Sequence, residues 1–368
     1  MTGTGHKTEA GGPAMLLEVN DLTVRLQGSA GVVHAVSQIS FTLQQGRTLG
    51  IVGESGSGKS VMARALMRLL PRRATVALEG DAWLTYDGQR HNLLTLPEKT
   101  LRGLRGPAMA MVFQDPMTAL NPVLTIAVQL CEPLRLHQHL SPADARSRAT
   151  ELLARVGIPD PVARLDQYPH QLSGGMRQRV VIAIAIACNP RLLIADEPTT
   201  ALDVTVQRQI LDGLADLQRE RQMGMLLITH DLGVVASRAD HIAVMYAGRI
   251  VEYAPVQTLF SAMCHPYTEA LLKSIPRLSD PAHTRLHAIP GRPPQVIDPE
   301  PGCAFAPRCP YARPRCRAET PRLMEGRHVD HRHACFYPVG TGVSASPEPA
   351  QDGPDGHVTL SSQAGERS

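Results

Sequence analysis

GRTLGIVGESGSGKS, residues 46–60, carries the reading of the fold. GRTLGIVG is a short, mostly apolar run of the kind that forms a buried strand. GESGSGKS, residues 53–60, follows it and fits G-x-x-x-x-G-K-[ST], with a helical pattern next in sequence. Strand, glycine loop and helix in that order build a cradle for phosphate. Gly53, Gly56 and Gly58 let the backbone N–H groups of the loop, including those of Glu54, Ser55 and Ser57, close around oxygens. Lys59 brings a point charge to the terminal phosphates, and Ser60 offers a hydroxyl to magnesium.

RLLIADEP (residues 191–198) and GMLLITHD (residues 224–231) are two further apolar runs, each ending in acidic or histidine residues. In parallel α/β sheets the chemistry sits at such strand ends. Asp196 is placed to hold magnesium, and Glu197 to polarise an attacking water. His230 ends the next strand, where an imidazole can reach a terminal phosphate. Gln114, after AMAMVF, is alone a weak signal, since a glutamine at a strand end is usually a cap.

A second phosphate-type device stands in LSGGMRQR, residues 172–179. Ser173, Gly174 and Gly175 lead into the apolar run VVIAIAIA, as at a helix N-terminus where unpaired N–H groups and the dipole favour an anion. One nucleotide site does not need two such devices.

Composition sets the limits. Hydrophobic residues make up 43% and charged residues 19% of 368 positions, as in a globular protein of more than one domain. A formal charge of +3 and an aromatic content of 4% argue against nucleic acid as a partner. The longest apolar runs fall far short of the roughly 20 residues of a membrane span. Residues 1–15 lack the apolar core of a signal peptide and read as a disordered lead-in, with Met15 a candidate true start. The expected location is therefore cytoplasmic.

Along the chain, LLEVNDLTVRL and VVHAVSQISFTL alternate like half-buried strands, and residues 74–96 continue an antiparallel pattern. Residues 115–179 turn helical, with PADARSRATELLARVGI the clearest amphipathic element. IAVMYAGRIVEY reads as a closing hairpin. Residues 261–339 form a small appended unit, and residues 340–368, rich in Ser, Pro, Gly and Gln, read as a disordered tail. No long internal repeat is visible.

Taken together these motifs resemble the ATP-binding subunits of ABC transporters over about residues 16–260. GESGSGKS is similar to that family's Walker A, LLIADEP to Walker B, LSGGMRQR to the signature, ALD (residues 201–203, ending in Asp203) to the D-loop, Gln114 to the Q-loop and His230 to the switch histidine. The resemblance implies a P-loop NTPase cassette: an α/β RecA-like core, an antiparallel β-subdomain, a helical subdomain and a small Cys-rich C-terminal extension. It implies an ATPase using ATP and Mg2+, the ion held by Ser60, Gln114 and Asp196. Two such cassettes dimerise head to tail, so Ser173, Gly174 and Gly175 would act on a partner's ATP, and with no repeat here the partner is a second ATPase subunit, as a heterodimer. QDPMTALNP, ACNPRLLIADEPTTALDVTVQ and HPYTEALLKSIP resemble the oligopeptide and dipeptide importer branch, whose nickel-transporting relatives share much of the sequence. That implies two membrane-spanning permease subunits, an external solute-binding protein and a place at the cytoplasmic face of the membrane. A soluble ABC ATPase of translation or repair is the other class, but its usual second cassette or coiled-coil insertion is missing. In one respect the chain departs from the family: where an aromatic ring usually stacks on adenine, GVVHAV offers Val33 and His34.

Cys303, Cys309, Cys316 and Cys335 crowd one proline-rich segment, with five, six and eighteen residues between them. Zinc sites usually carry a tighter C-x2-4-C knuckle. Four thiolates are also the ligand set of a 4Fe-4S cluster, and the matching extension of peptide importers is associated with one. Zinc and no metal remain open, with His331 and His333 as alternative ligands to Cys335. The segment's distance in sequence from the ATP motifs suggests a structural or redox-sensing role rather than a part in hydrolysis.

Overall fold

The computed structural model describes residues 14–199, 203–275, 289–294, 296–297 and 301–340. The lead-in before residue 14, Ala201 and Leu202 of the ALD stretch, and the tail beyond residue 340 lie outside the described residues.

Two sheets organise the chain. The first is antiparallel, in the order β2-β1-β4-β5, from β1 (Met15–Gly28), β2 (Gly31–Gln44), β4 (Thr75–Tyr86) and β5 (Gln89–Asn92). Leu17, Val19, Leu22 and Val24 of β1 point inward, as the alternation of the sequence requires.

The second sheet has eight strands in the order β11-β12-β10-β9-β3-β8-β7-β6. Its centre is parallel: β3 (Thr48–Val52), β6 (Met109–Val112), β7 (Leu192–Asp196), β8 (Gly224–Thr229) and β9 (His241–Tyr246). Every residue of β3, β6, β7 and β8 is buried, because helices cover both faces of such a sheet. β10 (Arg249–Pro255) closes back antiparallel on β9 through Ala247 and Gly248, both at positive φ as a tight hairpin demands. β12 (Arg332–His333) then pairs with β10, and β11 (Met324–Glu325) with β12. The C-terminal segment thus adds its own strands to the main sheet, and Phe305 from it packs in the same core as Tyr246 and Tyr267.

The helical region lies between β6 and β7. Pro142–Arg155 is capped by Ser141, whose hydroxyl accepts from Asp144 N–H, and buries Ala145, Ala149, Leu152 and Leu153 on one stripe. Gly174–Ile186 is buried on several sides from Val180 onward, so it forms the centre of that region.

Candidate active site

β3 delivers the glycine loop, and the helix Lys59–Leu66 leaves it. Two glycines are dictated by sterics. A Cβ at Gly53 would lie 2.1 Å from Met245 O, and one at Gly58, at φ +99°, would lie 2.2 Å from Ala35 O. Lys59 is 4% exposed, and its Nζ donates to Gly53 O at 2.7 Å and Glu54 O at 2.9 Å. Burial lowers its pKa, while the carboxylates of Glu197, Asp196 and Glu54 pull it back up.

Ser60 Oγ donates to Asp196 Oδ1 at 2.9 Å, joining the helix to the end of β7. Asp196 is 1% exposed, and its Oδ2 has no hydrogen-bond partner. Burial raises its pKa, opposed by the Ser60 hydrogen bond. A buried carboxylate oxygen left unsatisfied beside a hydroxyl is an all-oxygen donor set, which fits the hard Mg2+ ion.

Glu197 follows Asp196 at φ +45°, uncommon for a residue other than glycine, and its N–H donates to Ile228 O at 2.9 Å. Gln114 Nε2 donates to Glu197 Oε2 at 3.0 Å, and His230 Nδ1 lies 3.4 Å from Glu197 Oε1. Adjacent parallel strands β6, β7 and β8 therefore bring Gln114, Glu197 and His230 together as the strand-end reading requires.

The signature stretch is elsewhere engaged. Ser173 caps the helix Gly174–Ile186, its hydroxyl accepting from Met176 N–H at 3.3 Å, and Ser173 and Gly174 are exposed. Arg177 ties this helix to Pro169 O and to the Met117 sulfur, linking it to the segment after Gln114. Asp203 caps Val204–Arg221, accepting from Thr205 and Val206 N–H at 3.0 Å.

One set of contacts had no counterpart in the sequence reading. Arg308 donates to Glu54 through both nitrogens of its fork, at 2.6 and 2.9 Å, and Tyr267 OH accepts from Glu54 N–H at 2.8 Å. His34 N–H donates to Val296 O at 2.8 Å, and Val33 bridges to Ile297. The HPYTEALLKSIP and PRCP stretches contain Tyr267 and Arg308, but nothing in their patterning points to a loop more than two hundred residues away.

Cys303, Cys309, Cys316 and Cys335 line one small cavity, with His265, Phe305, Tyr311, Phe336 and Tyr337 also in its wall. Burial pushes the Cys309 thiol up to about 11 and the Cys335 thiol up to about 12. Four cysteines lining one cavity are a donor set that fits a metal cluster. His331 is committed elsewhere: its Nε2 lies 2.8 Å from Glu252 Oε1, and both side chains are fully buried. Neither His331 nor His333 lines the cysteine cavity.

Residues 36–200 match the family model for ABC transporters, and residues 251–316 match that for the oligopeptide/dipeptide transporter C-terminal region. The chain is 49% identical over 327 residues to the dipeptide transport ATP-binding protein DppD of Escherichia coli (strain K12), spanning 88% of this chain and 97% of that protein. It is 48% identical over 322 residues to a probable peptide ABC transporter ATP-binding protein, y4tR, of Sinorhizobium fredii, spanning 88% and 95%. Among solved structures, the dimeric bacterial ABC transporter cassette MJ0796 superimposes with a TM-score of 0.58 at 28% identity, over 66% of this chain and 99% of that one. The same cassette in a post-hydrolysis dimer bound to ADP and Pi also gives a TM-score of 0.58, at 27% identity over 66% of this chain and 99% of that one. Nearly the whole length of a relative matches at this identity, and the chain accordingly belongs to the ATP-hydrolysing, ATP-binding subunits of ABC transporters, with the C-terminal region of the oligopeptide/dipeptide branch.

Proposed function

We propose that the chain powers import of dipeptides or oligopeptides, with Glu197 as the residue that orients the attacking water. The observation that carries this reading is the placement of Glu197 between Gln114 and His230, at the strand ends beside Asp196. Relatives named for dipeptide and peptide import support the solute class over nickel or another small solute.

Loop residues 53–60 receive the phosphates. Lys59 rests on Gly53 O and Glu54 O, and an ammonium held by neutral carbonyls exchanges one of them for a phosphate oxygen at a gain in charge pairing. Ser60, Asp196 and Gln114 hold Mg2+, which supplies neutralisation of phosphate charge. Glu197 takes up the water's proton as attack on the terminal phosphate proceeds. His230, with a mostly exposed ring, is free to turn to that phosphate.

Ser173, Gly174 and Gly175 serve the nucleotide of a second ATPase subunit in a head-to-tail heterodimer, with Asp203 at the same junction. The exposure of Ser173, Gly174 and Asp203 supports a role in trans. Two permease subunits dock near the Gln114 segment, where Met117 is 60% and Val123 75% exposed, and an external binding protein delivers the solute. No helix among the described residues is long and apolar enough to cross a membrane, so the chain would sit at the membrane's cytoplasmic face through these partners.

The four cysteines hold a 4Fe-4S cluster. A single zinc ion would draw its sulfurs to about 3.8 Å of one another, given tetrahedral bonds of about 2.3 Å. Among the described residues the ligand atoms that close within 4.8 Å are those of Glu252, Cys264 and His331, not any three of these cysteines. The four cysteines lining one cavity, without the tight C-x2-4-C knuckle usual for zinc, favour a cluster. When bound, it would cross-link the segments that carry the four thiolates.

Uptake by the chain assembled with its membrane subunits tests the solute class. Stimulation of ATP hydrolysis by di- or oligopeptide with its binding protein supports the proposal, and stimulation by nickel alone refutes it.

A further inference from the structure

Glu54 is the second residue of the phosphate loop, and the C-terminal region grips it at two points. Its carboxylate receives both arms of Arg308, at 2.6 and 2.9 Å, and its N–H is held by Tyr267 OH at 2.8 Å. Neither partner is a surface group: Arg308 is 8% exposed and Tyr267 fully buried. Arg308 is fixed in turn by Pro290 O at 2.7 Å and Tyr246 OH at 3.3 Å. On the other side of the loop, β2 is held by the same region through His34 N–H and Val296 O, and Ala35 of β2 lies against Gly58.

We infer that Arg308 and Tyr267 are positioning residues for ATP binding: the C-terminal region holds the phosphate loop in its receptive shape by fixing Glu54. The inference rests on the reading of residues 53–60 as the phosphate cradle. The physical reason is preorganisation. A loop whose N–H groups must converge on phosphate loses affinity if it has to be ordered at the moment of binding. Glu54 O and Gly53 O also hold Lys59, so a displaced Glu54 moves the resting place of the ammonium too. A bidentate guanidinium fork fixes the carboxylate in orientation as well as distance, which a lysine cannot do.

Arg308 stands next to Cys309 in the short helix Ala306–Arg308, where Cys309 N–H donates to Ala306 O. Disturbance of the four-cysteine cavity therefore has a short route to the phosphate loop.

The test is ATP affinity of the full-length chain, by equilibrium titration, for wild type, Arg308→Met, Arg308→Lys, Tyr267→Phe, Glu54→Gln and the Glu54→Gln/Arg308→Met pair, with thermal unfolding of each. Arg308→Met should bind ATP about tenfold more weakly, the scale of one charge-assisted pair. Arg308→Lys should recover part of the loss, and the double variant should bind no more weakly than the worse single, since both remove one interaction. Tyr267→Phe keeps the buried ring and should still lose about threefold, the scale of one neutral hydrogen bond. Wild-type affinity in both Arg308→Lys and Tyr267→Phe, or additive losses in the pair, overturns the inference. Lys59→Ala is the control for the reading beneath it: retained ATP binding there would remove the phosphate cradle itself, whatever Arg308 does.

Discussion

Gln114 Nε2 donates to Glu197 Oε2 at 3.0 Å, a bond between the ends of two neighbouring parallel strands. The amide fixes one oxygen of the carboxylate and leaves the other facing His230, 3.4 Å away. Gln114→Ala removes one of the groups that hold the carboxylate. Turnover in the assembled transporter should fall about tenfold or more, because misplacement of a reacting group is costly; ATP affinity measured without Mg2+ should change little, while affinity with Mg2+ should weaken as the amide oxygen is lost. Steady-state kinetics with a separate binding titration check this.

Ser173 and Gly174 are exposed at the N-terminus of a helix that is mostly buried from Val180 onward. If the signature serves a partner's nucleotide, Ser173→Arg should leave ATP binding to the isolated chain unchanged and block ATP-driven closure with the second cassette. Sedimentation with and without ATP reads the second effect. Equal loss of affinity in the isolated chain would assign the signature to its own site.

The cysteine cavity predicts a colour. Anaerobically purified protein should be brown, with about four irons and four sulfides per chain. Cys309→Ser should bleach it, make the region after residue 290 sensitive to protease and, through the neighbouring Arg308, weaken ATP binding. Colourless protein with stoichiometric zinc contradicts the cluster, and metal-free protein with a resistant C-terminus contradicts any metal.

His265 is buried and its pKa is lowered to about 4, chiefly by burial, while its Nδ1 accepts from Tyr267 N–H at 3.0 Å. The folded state thus binds a proton less readily than the unfolded chain, whose histidine titrates near 6.5. This stability is fully present above about pH 6.5 and is lost as pH falls toward 4, by roughly 3 kcal/mol at most. Glu252 acts in the same direction at lower pH: burial pushes its carboxyl up, but His331 and the N–H groups of Cys264 and His265 hold it below its usual value. His265→Asn keeps a cap and removes the titration, so its unfolding temperature should decline less between pH 6.5 and 4.5 than that of wild type.

Much of the candidate site's arrangement was legible because strands of a parallel sheet end on one side. Glycine loop, Asp196, Glu197 and His230 each follow an apolar run, and register alone brings them together. Gln114 was the weak member on sequence, since a strand-end glutamine has several uses; only the neighbouring strand gives it Glu197. The C-terminal region was least legible. Its cysteines were visible, but its irregular backbone has no period to show that β12 would extend the main sheet. Distance in sequence also hid one contact: Arg308 is 254 residues from Glu54 and bonded to it.

The central claim is that Glu197 orients the water while Lys59 holds phosphate, and one paired measurement in the assembled transporter reaches it directly. Glu197→Gln keeps the shape and the Gln114 contact but cannot accept the proton. It should bind ATP as wild type does and lose turnover by about a hundredfold or more, whereas Lys59→Ala should lose both. Near-normal turnover in Glu197→Gln, with ATP bound, would contradict the account.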